Sequence, residues 1–274
     1  MKLTTSILLV ILAMIVYPTD CSARQPRINY KTIPDIPYKK GGVTDIYEDS
    51  LCRLDIYYPV NKKDFATIIW FHGGSLRSGH KAIPDALKEK GLAIVAVDYR
   101  LTPHVRVSEC IDDAAAAVAW TIKNIPLYGG DIKDIFIAGH SAGAYLSLML
   151  GLDKKWLAKY ELDPDLIFKA IIAYSGQTTS HTTYRQENGW PKLNVVCDSM
   201  APINHIRPDC APVLLMTGDR EFELLGRYEE NAYFWRMMKI AGHSNVTLYE
   251  FDGFNHSKMT RPGHLIALKF IKEL

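Results

Sequence analysis

A chain of 274 residues, 48% hydrophobic and 23% charged, carries enough apolar material for a sizeable core and is long enough for one large α/β unit. Its formal net charge of +2 is too small to favour nucleic acid or an anionic membrane surface as a partner. The lysine pairs Lys39-Lys40 and Lys62-Lys63 sit in loop-like sequence and read as solvated turns.

In chain order, Lys2 precedes an apolar run from Ile7 to Tyr17, and small residues follow at Cys21-Ser22-Ala23. The run is shorter than the roughly 20 residues a membrane span needs, so residues 1–23 are predicted to be a cleaved secretory signal peptide. Pro18-Thr19-Asp20 replaces the small apolar residues that a lipoprotein site requires before Cys21. The expected destination is the periplasm or the exterior of a bacterium, with no stable membrane insertion of the mature chain. Four cysteines then remain: Cys52, Cys110, Cys197 and Cys210. An oxidising compartment permits bridges, and Cys197 with Cys210, in one loop-like region, is the pair best placed to form one. Cys52 reads as a buried thiol. No CxxC pair and no Cys/His cluster with zinc spacing is present, so no structural metal is expected.

Residues 24–41 read as an irregular, Pro-containing lead-in and 42–274 as one domain. Val43–Tyr47 and Leu51–Tyr58, joined by Glu48-Asp49-Ser50, suggest a hairpin. Continuous apolar runs follow at Ala66–Phe71, Ala93–Val97, Ile135–Ala138, Ala170–Ala173 and Val213–Met216, as parallel strands covered on both faces require. Helical segments separate them: Ile83–Lys90 before Gly91, Cys110–Lys123 ending near Pro126, Ala142–Leu152, and Glu223–Ile240. The last of these places Leu225, Tyr228, Ala232, Trp235 and Met238 on one stripe, read as core packing. Val246–Phe251 is a final strand and Pro262–Leu274 a closing helix. The alternation predicts an α/β domain with a mostly parallel central sheet and helices on both faces. Residues 177–207 break it and read as a small cap or insertion over the C-terminal edge of the strands.

Gly139-His140-Ser141-Ala142-Gly143 falls between the strand ending at Ala138 and the helix starting at Ala142. A turn that tight demands small neighbours and pushes the Ser141 hydroxyl out at the strand's C-terminal end, where open α/β sheets bind ligands. The helix N-terminus adds unpaired N–H groups. Upstream, His72-Gly73-Gly74-Ser75 follows a buried strand, and glycines there let backbone N–H groups approach a developing oxyanion. The amides of Gly73, Gly74 and Ala142 are therefore the candidate oxyanion hole, while His72 reads as a structural hydrogen-bonder. His256, in Gly253-Phe254-Asn255-His256 after the last strand, comes last in the order Ser, acid, His and is the candidate base.

These residues resemble an α/β-hydrolase of the carboxylesterase kind, near the hormone-sensitive-lipase-like and the feruloyl or acetyl esterase branches. The likeness covers residues 40–274: the HGG loop, Asp98-Tyr99-Arg100-Leu101-Thr102-Pro103, the Ser141 elbow, an acidic loop after Val213–Met216, and the His256 loop. It implies the fold and an ester substrate, and it makes Asp98 and Arg100 scaffold residues. Ser75 stands where many lipase-like members carry a third glycine, and Leu76 where an aromatic is frequent, which leaves the acyl pocket open. In similar hydrolases the acid stands three residues past the strand-ending glycine, here Gly218, which selects Glu221. Asp219 is the alternative acid, and Glu223 reads as a first-turn helix charge.

The expected chemistry is a Ser141 nucleophile, a His256 base and an acyl-enzyme intermediate, acting on a small-molecule or carbohydrate ester with no metal or organic cofactor. GxxxxGK[ST], HExxH and GxGxxG are all absent from the sequence. An amide or formamide hydrolase, or a small peptidase, would use the same triad. A non-enzymatic binding protein on this scaffold would be expected to lack Ser141 or His256. The acyl and alcohol groups and the oligomeric state leave no mark in the sequence.

Overall fold

Strands covered on both faces have no reason to alternate, and the continuous apolar runs become the interior of one eight-stranded sheet. The computed structural model describes residues 27–39 and 45–274. Its strands are β1 (Tyr30–Pro37), β2 (Arg53–Pro59), β3 (Phe65–Phe71), β4 (Ala93–Val97), β5 (Gly130–His140), β6 (Ala170–Tyr174), β7 (Val213–Gly218) and β8 (Val246–Phe251). They lie in the order β1-β2-β4-β3-β5-β6-β7-β8. The β1–β2 and β2–β4 pairs are antiparallel and the remainder parallel.

The helices are α1 (Ile46–Leu51), α2 (Val107–Tyr128), α3 (Ala142–Leu152), α4 (Lys155–Ala158), α5 (Pro164–Ile167), α6 (Thr182–Glu187), α7 (Arg227–Ile240) and α8 (Thr260–Glu273). Alternate residues of β3 feed two cores: Ile69 and Phe71 pack with α2 and α3, while Ile68 and Trp70 pack with Leu268 of α8. Every residue of α3 is buried, so this helix is apolar all round rather than striped. Among the described residues no helix is long and apolar enough to cross a membrane.

The order of strands positions the site. The chain runs β3 to β4 on one side and then crosses to β5 on the other side of β3, which makes the ends of β3 and β5 the switch point where open α/β sheets bind ligands. Register carries the same edge across the sheet: Phe71 pairs with Gly139, His140 with Tyr174, Tyr174 with Met216, and Gly218 with Phe251. The loops that follow β3, β5, β6, β7 and β8 therefore meet.

Several expectations are corrected. The partner of β2 is β1, inside the supposed lead-in, and not a strand at residues 43–47. Ile46–Leu51 is helical, capped by the Asp45 carboxylate, which accepts from Tyr47 N at 2.9 Å and Glu48 N at 3.3 Å. The expected signal segment 1–23 lies outside the described residues, as do residues 40–44. The helix expected over Ile83–Lys90 is only a 3-10 turn at Asp85–Leu87, closed where Glu89 takes a positive φ of 58°. The helix expected from Glu223 begins at Arg227. Its buried face is Arg227, Asn231, Phe234 and Met238, and Leu225 is 90% exposed. Cys197 and Cys210 are both free, the first exposed and the second buried with Sγ 3.9 Å from His243 Nδ1. Residues 177–207 contain α6 and a 3-10 turn at Pro202–His205. Arg100 forms a bidentate pair with buried Asp113, with both N···O distances 2.8 Å, inside the scaffold.

Candidate active site

Ser141 links β5 to α3 with φ 56° and ψ −115°, a conformation that costs a residue with a side chain about 1–3 kcal/mol. The flanking glycines make the turn possible. A Cβ on Gly143 would lie 2.1 Å from the Phe71 carbonyl oxygen, and one on Gly139 would lie 2.4 Å from the Gly143 carbonyl carbon. Ser141 N donates to Tyr174 O at 2.8 Å, and among the described residues its Oγ has no protein hydrogen-bond partner.

The HGG loop lies against this turn. A Cβ on Gly73 would be 3.2 Å from Ser141 Cβ, and one on Gly74, whose φ is 110°, would be 2.0 Å from Ser78 O. Among the described residues the amides of Gly73 and Gly74 reach no protein acceptor. Ala142 opens α3, so its N–H has no acceptor within the helix. His72 is structural: its ring stacks on Tyr99 at 4.4 Å, and its Nδ1 donates to Gly73 O at 2.7 Å.

His256 arrives on the loop after β8. Its ring lies 4.7 Å from that of His140, the residue before Ser141, and His140 Nε2 donates to the His256 carbonyl at 2.9 Å. Burial first, and the neighbouring His256 second, push His140 down to about 4, so it is neutral near pH 7. His256 Nδ1 is 2.9 Å from Glu223 Oε2, and among the described residues its Nε2 is left without a protein partner.

The acid expectation is thereby corrected: the carboxylate on His256 belongs to neither Glu221 nor Asp219. After β7 the chain turns back at once. Asp219 Oδ1 accepts from Glu221 N at 2.9 Å, and Phe222 N and Glu223 N both donate to Asp219 O, at 2.9 and 2.8 Å. That turn leaves Glu221 exposed and brings Glu223 back over the strand end. Asp219 instead ties the two loops: its Oδ2 accepts from Gly253 N at 2.7 Å, and its own N–H donates to Phe254 O at 2.7 Å. A Cβ on Gly218 would lie 2.4 Å from Phe254 O, so only glycine lets the loops approach this closely.

Glu223 Oε1 accepts from Gly218 N at 2.9 Å and Ser175 Oγ at 2.7 Å; Oε2 accepts from His256 Nδ1 and Leu224 N, both at 2.9 Å. Burial would raise this carboxyl, but His256, Ser175 and the Gly218 amide together hold it down to about 2.

The BD-FAE family model matches residues 54–224, more than half of the chain and the stretch that holds the HGG loop, the Ser141 elbow and Glu223. The chain belongs to the BD-FAE family. Among curated relatives of this BD-FAE protein, esterase LipC of Mycobacterium tuberculosis is 26% identical over 204 residues, 68% of this chain and 50% of LipC. Carboxylesterase NlhH of the same species is 32% identical over 136 residues, 47% of this chain and 40% of NlhH. The matches thus span half the length of these relatives or less. A truncated carbohydrate esterase from gut microbiota has a TM-score of 0.75 at 17% identity, covering 90% of this chain and 96% of that one. Esterase B from Lactobacillus rhamnosis gives 0.70 at 17% identity, covering 89% of this chain and 86% of the other. These likenesses establish the α/β-hydrolase fold.

Sequence reasoning gave no role to two residues of the BD-FAE site, Ser175 and His140. Each follows from position: Ser175 is the first residue after β6, which lies between β5 and β7, so its loop must sit between those of Ser141 and Glu223. His140 precedes Ser141 in a turn whose other side faces the β8 loop.

Proposed function

We propose that this chain is an exported serine hydrolase that cleaves carboxylic esters through an acyl-enzyme on Ser141. The observation that carries the reading is the buried Glu223 carboxylate on His256 Nδ1, on a ring 4.7 Å from that of His140, the residue before Ser141; among the described residues neither His256 Nε2 nor Ser141 Oγ has a protein partner. Nε2 takes the Ser141 proton as Oγ attacks the acyl carbon, and Glu223 stabilises the imidazolium that forms. The tetrahedral oxyanion accepts from the amides of Gly73, Gly74 and Ala142. Nε2 then returns the proton to the departing alcohol oxygen, and water releases the acyl group by the same route.

The names of LipC and NlhH support an ester substrate. The carbohydrate esterase among the structural likenesses, together with the signal-like segment at residues 1–23, supports a small or carbohydrate-borne ester outside the cytoplasm. Mature exported protein beginning near Arg24 would support a cleaved export signal; exported protein that keeps residues 1–23 would reject that cleavage, and protein retained in the cytoplasm would reject export.

The test of mechanism is a set of variants on a short aryl ester. Ser141→Ala should fold and lose about 10⁴-fold or more in turnover, and a phosphonate probe should label Ser141 alone in the wild type. Glu223→Gln should fall by about 10⁴-fold in kcat with little change in KM, while exposed Glu221→Gln stays within a few-fold of wild type. Hydrolysis retained in Ser141→Ala, or a Glu223→Gln enzyme near wild type, sinks the proposal.

A further inference from the structure

Ser175, fully buried, holds φ at 53°, a left-handed conformation unfavourable for a residue with a Cβ. The surroundings impose it. Ser175 N donates to Met216 O at 2.6 Å, Arg227 Nη1 donates to the Ser175 carbonyl, and Asn231 Nδ2 donates to Gly176 O at 2.8 Å. Strain kept in place by that many contacts calls for a local reason.

The hydroxyl supplies one. Oγ lies 2.7 Å from Glu223 Oε1 and 2.8 Å from His256 Nδ1. An ionised carboxylate can only accept, so the single hydroxyl proton goes to Oε1. Toward Nδ1 the Oγ can then only accept, through a lone pair, so Nδ1 must carry a proton and share it between Oγ and Glu223 Oε2, 2.9 Å away. Three side chains close a ring of hydrogen bonds, and the ring admits one neutral imidazole tautomer, with a proton on Nδ1 and a bare Nε2. That is the form a general base needs.

We infer that Ser175 is a positioning residue for ester hydrolysis, fixing the tautomer and orientation of His256 through the Glu223 carboxylate. The inference rests on the reading of Glu223 as the acid of the triad. Arg227 and Asn231 of α7 act one step further out, by clamping the strained backbone that aims Oγ.

The test is a double-mutant cycle on p-nitrophenyl acetate. Ser175→Ala and Ser175→Gly, the second of which also relieves the φ strain, are measured alone and combined with Glu223→Gln. Each single Ser175 variant should lose ten- to a hundredfold in kcat with KM within about twofold, the scale of a hydrogen bond to a charged group. An amide has one acceptor oxygen and cannot receive protons on both sides as Glu223 does, so Glu223→Gln already breaks the ring. The further loss from either Ser175 change in that background should be under about threefold. A hydroxyl that only supported packing would give the same loss in both backgrounds. Ser175→Ala within twofold of wild type, or an undiminished loss beside Glu223→Gln, overturns the inference. A Glu223→Gln single variant near wild type overturns the acid reading itself, and this inference with it, through a different measurement.

Discussion

Protonating Glu223 would remove the charge at the centre of a buried set of hydrogen bonds. The Glu223 side chain has no solvent exposure, and its pKa is held down to about 2 from an ordinary 4.5. The gap between those values, at about 1.36 kcal/mol per pH unit, makes about 3 kcal/mol of stability depend on the ionised form. The folded value is the depressed one. The contribution is therefore complete above the unfolded value of 4.5 and is lost as pH falls from there through about 2. By pH 2.5 about 2.5 kcal/mol of it should be gone. Glu223→Gln cannot titrate. Whatever its stability at pH 6, its loss between pH 6 and 2.5 should be smaller than the wild type's by about that amount. Urea unfolding followed by tryptophan fluorescence at pH 6, 4.5, 3.5 and 2.5 measures this directly. Glu221→Gln, whose side chain is exposed, should overlay the wild-type curve. Parallel stability–pH curves for wild type and Glu223→Gln would refute the claim that this carboxylate is the one held by His256, Ser175 and the Gly218 amide.

Four further outcomes follow from the same geometry. His140 is held down to about 4, so its contribution to stability is full above the unfolded value of 6.5 and lost as pH falls from 6.5 through about 4. His140→Gln should flatten the stability curve in that window alone, read from urea midpoints between pH 4 and 7. Gly74→Ala sets a Cβ 2.0 Å from Ser78 O at φ 110° and should lower stability by more than about 2 kcal/mol while abolishing turnover. Gly226→Ala, at φ 73° with open space around it, should cost about 1–2 kcal/mol and leave kcat unchanged. Asp219→Asn keeps one acceptor of two, so it should loosen the tie between the β7 and β8 loops, lowering Tm by a few degrees and kcat by less than about tenfold.

What the sequence made legible depends on how local the signal is. The inner strands were readable because a strand buried on both faces leaves an uninterrupted apolar run, and β4 matches its run from end to end. Gly139, Ser141 and Gly143 were readable because a strand-to-helix turn imposes small residues on immediate neighbours. The first strand was not: β1 has intermediate or exposed residues throughout and pairs at the sheet's edge with only β2, so periodicity had little to report. The helix expected over Ile83–Lys90 failed for a similar reason, since its composition allows a helix but only Leu87 of its 3-10 turn is buried to hold one.

The carboxylate on His256 shows where counting along a chain breaks down. Three residues past Gly218 is the right position only if the loop leaves the strand extended. Here Asp219 accepts from the N–H groups of Glu221, Phe222 and Glu223 through its side chain and carbonyl, so the backbone coils for one turn. One turn later a side chain points back to where it started, and that is the direction of the Gly218 amide and His256. The residue there is a glutamate, whose extra methylene lets the carboxylate bridge from Gly218 N to His256 Nδ1. The coil therefore explains three facts together: Asp219 faces the β8 loop, Glu221 faces solvent, and the carboxylate against His256 is Glu223. The spacing in sequence is a consequence of the turn, and the turn is written in how Asp219 distributes its acceptors.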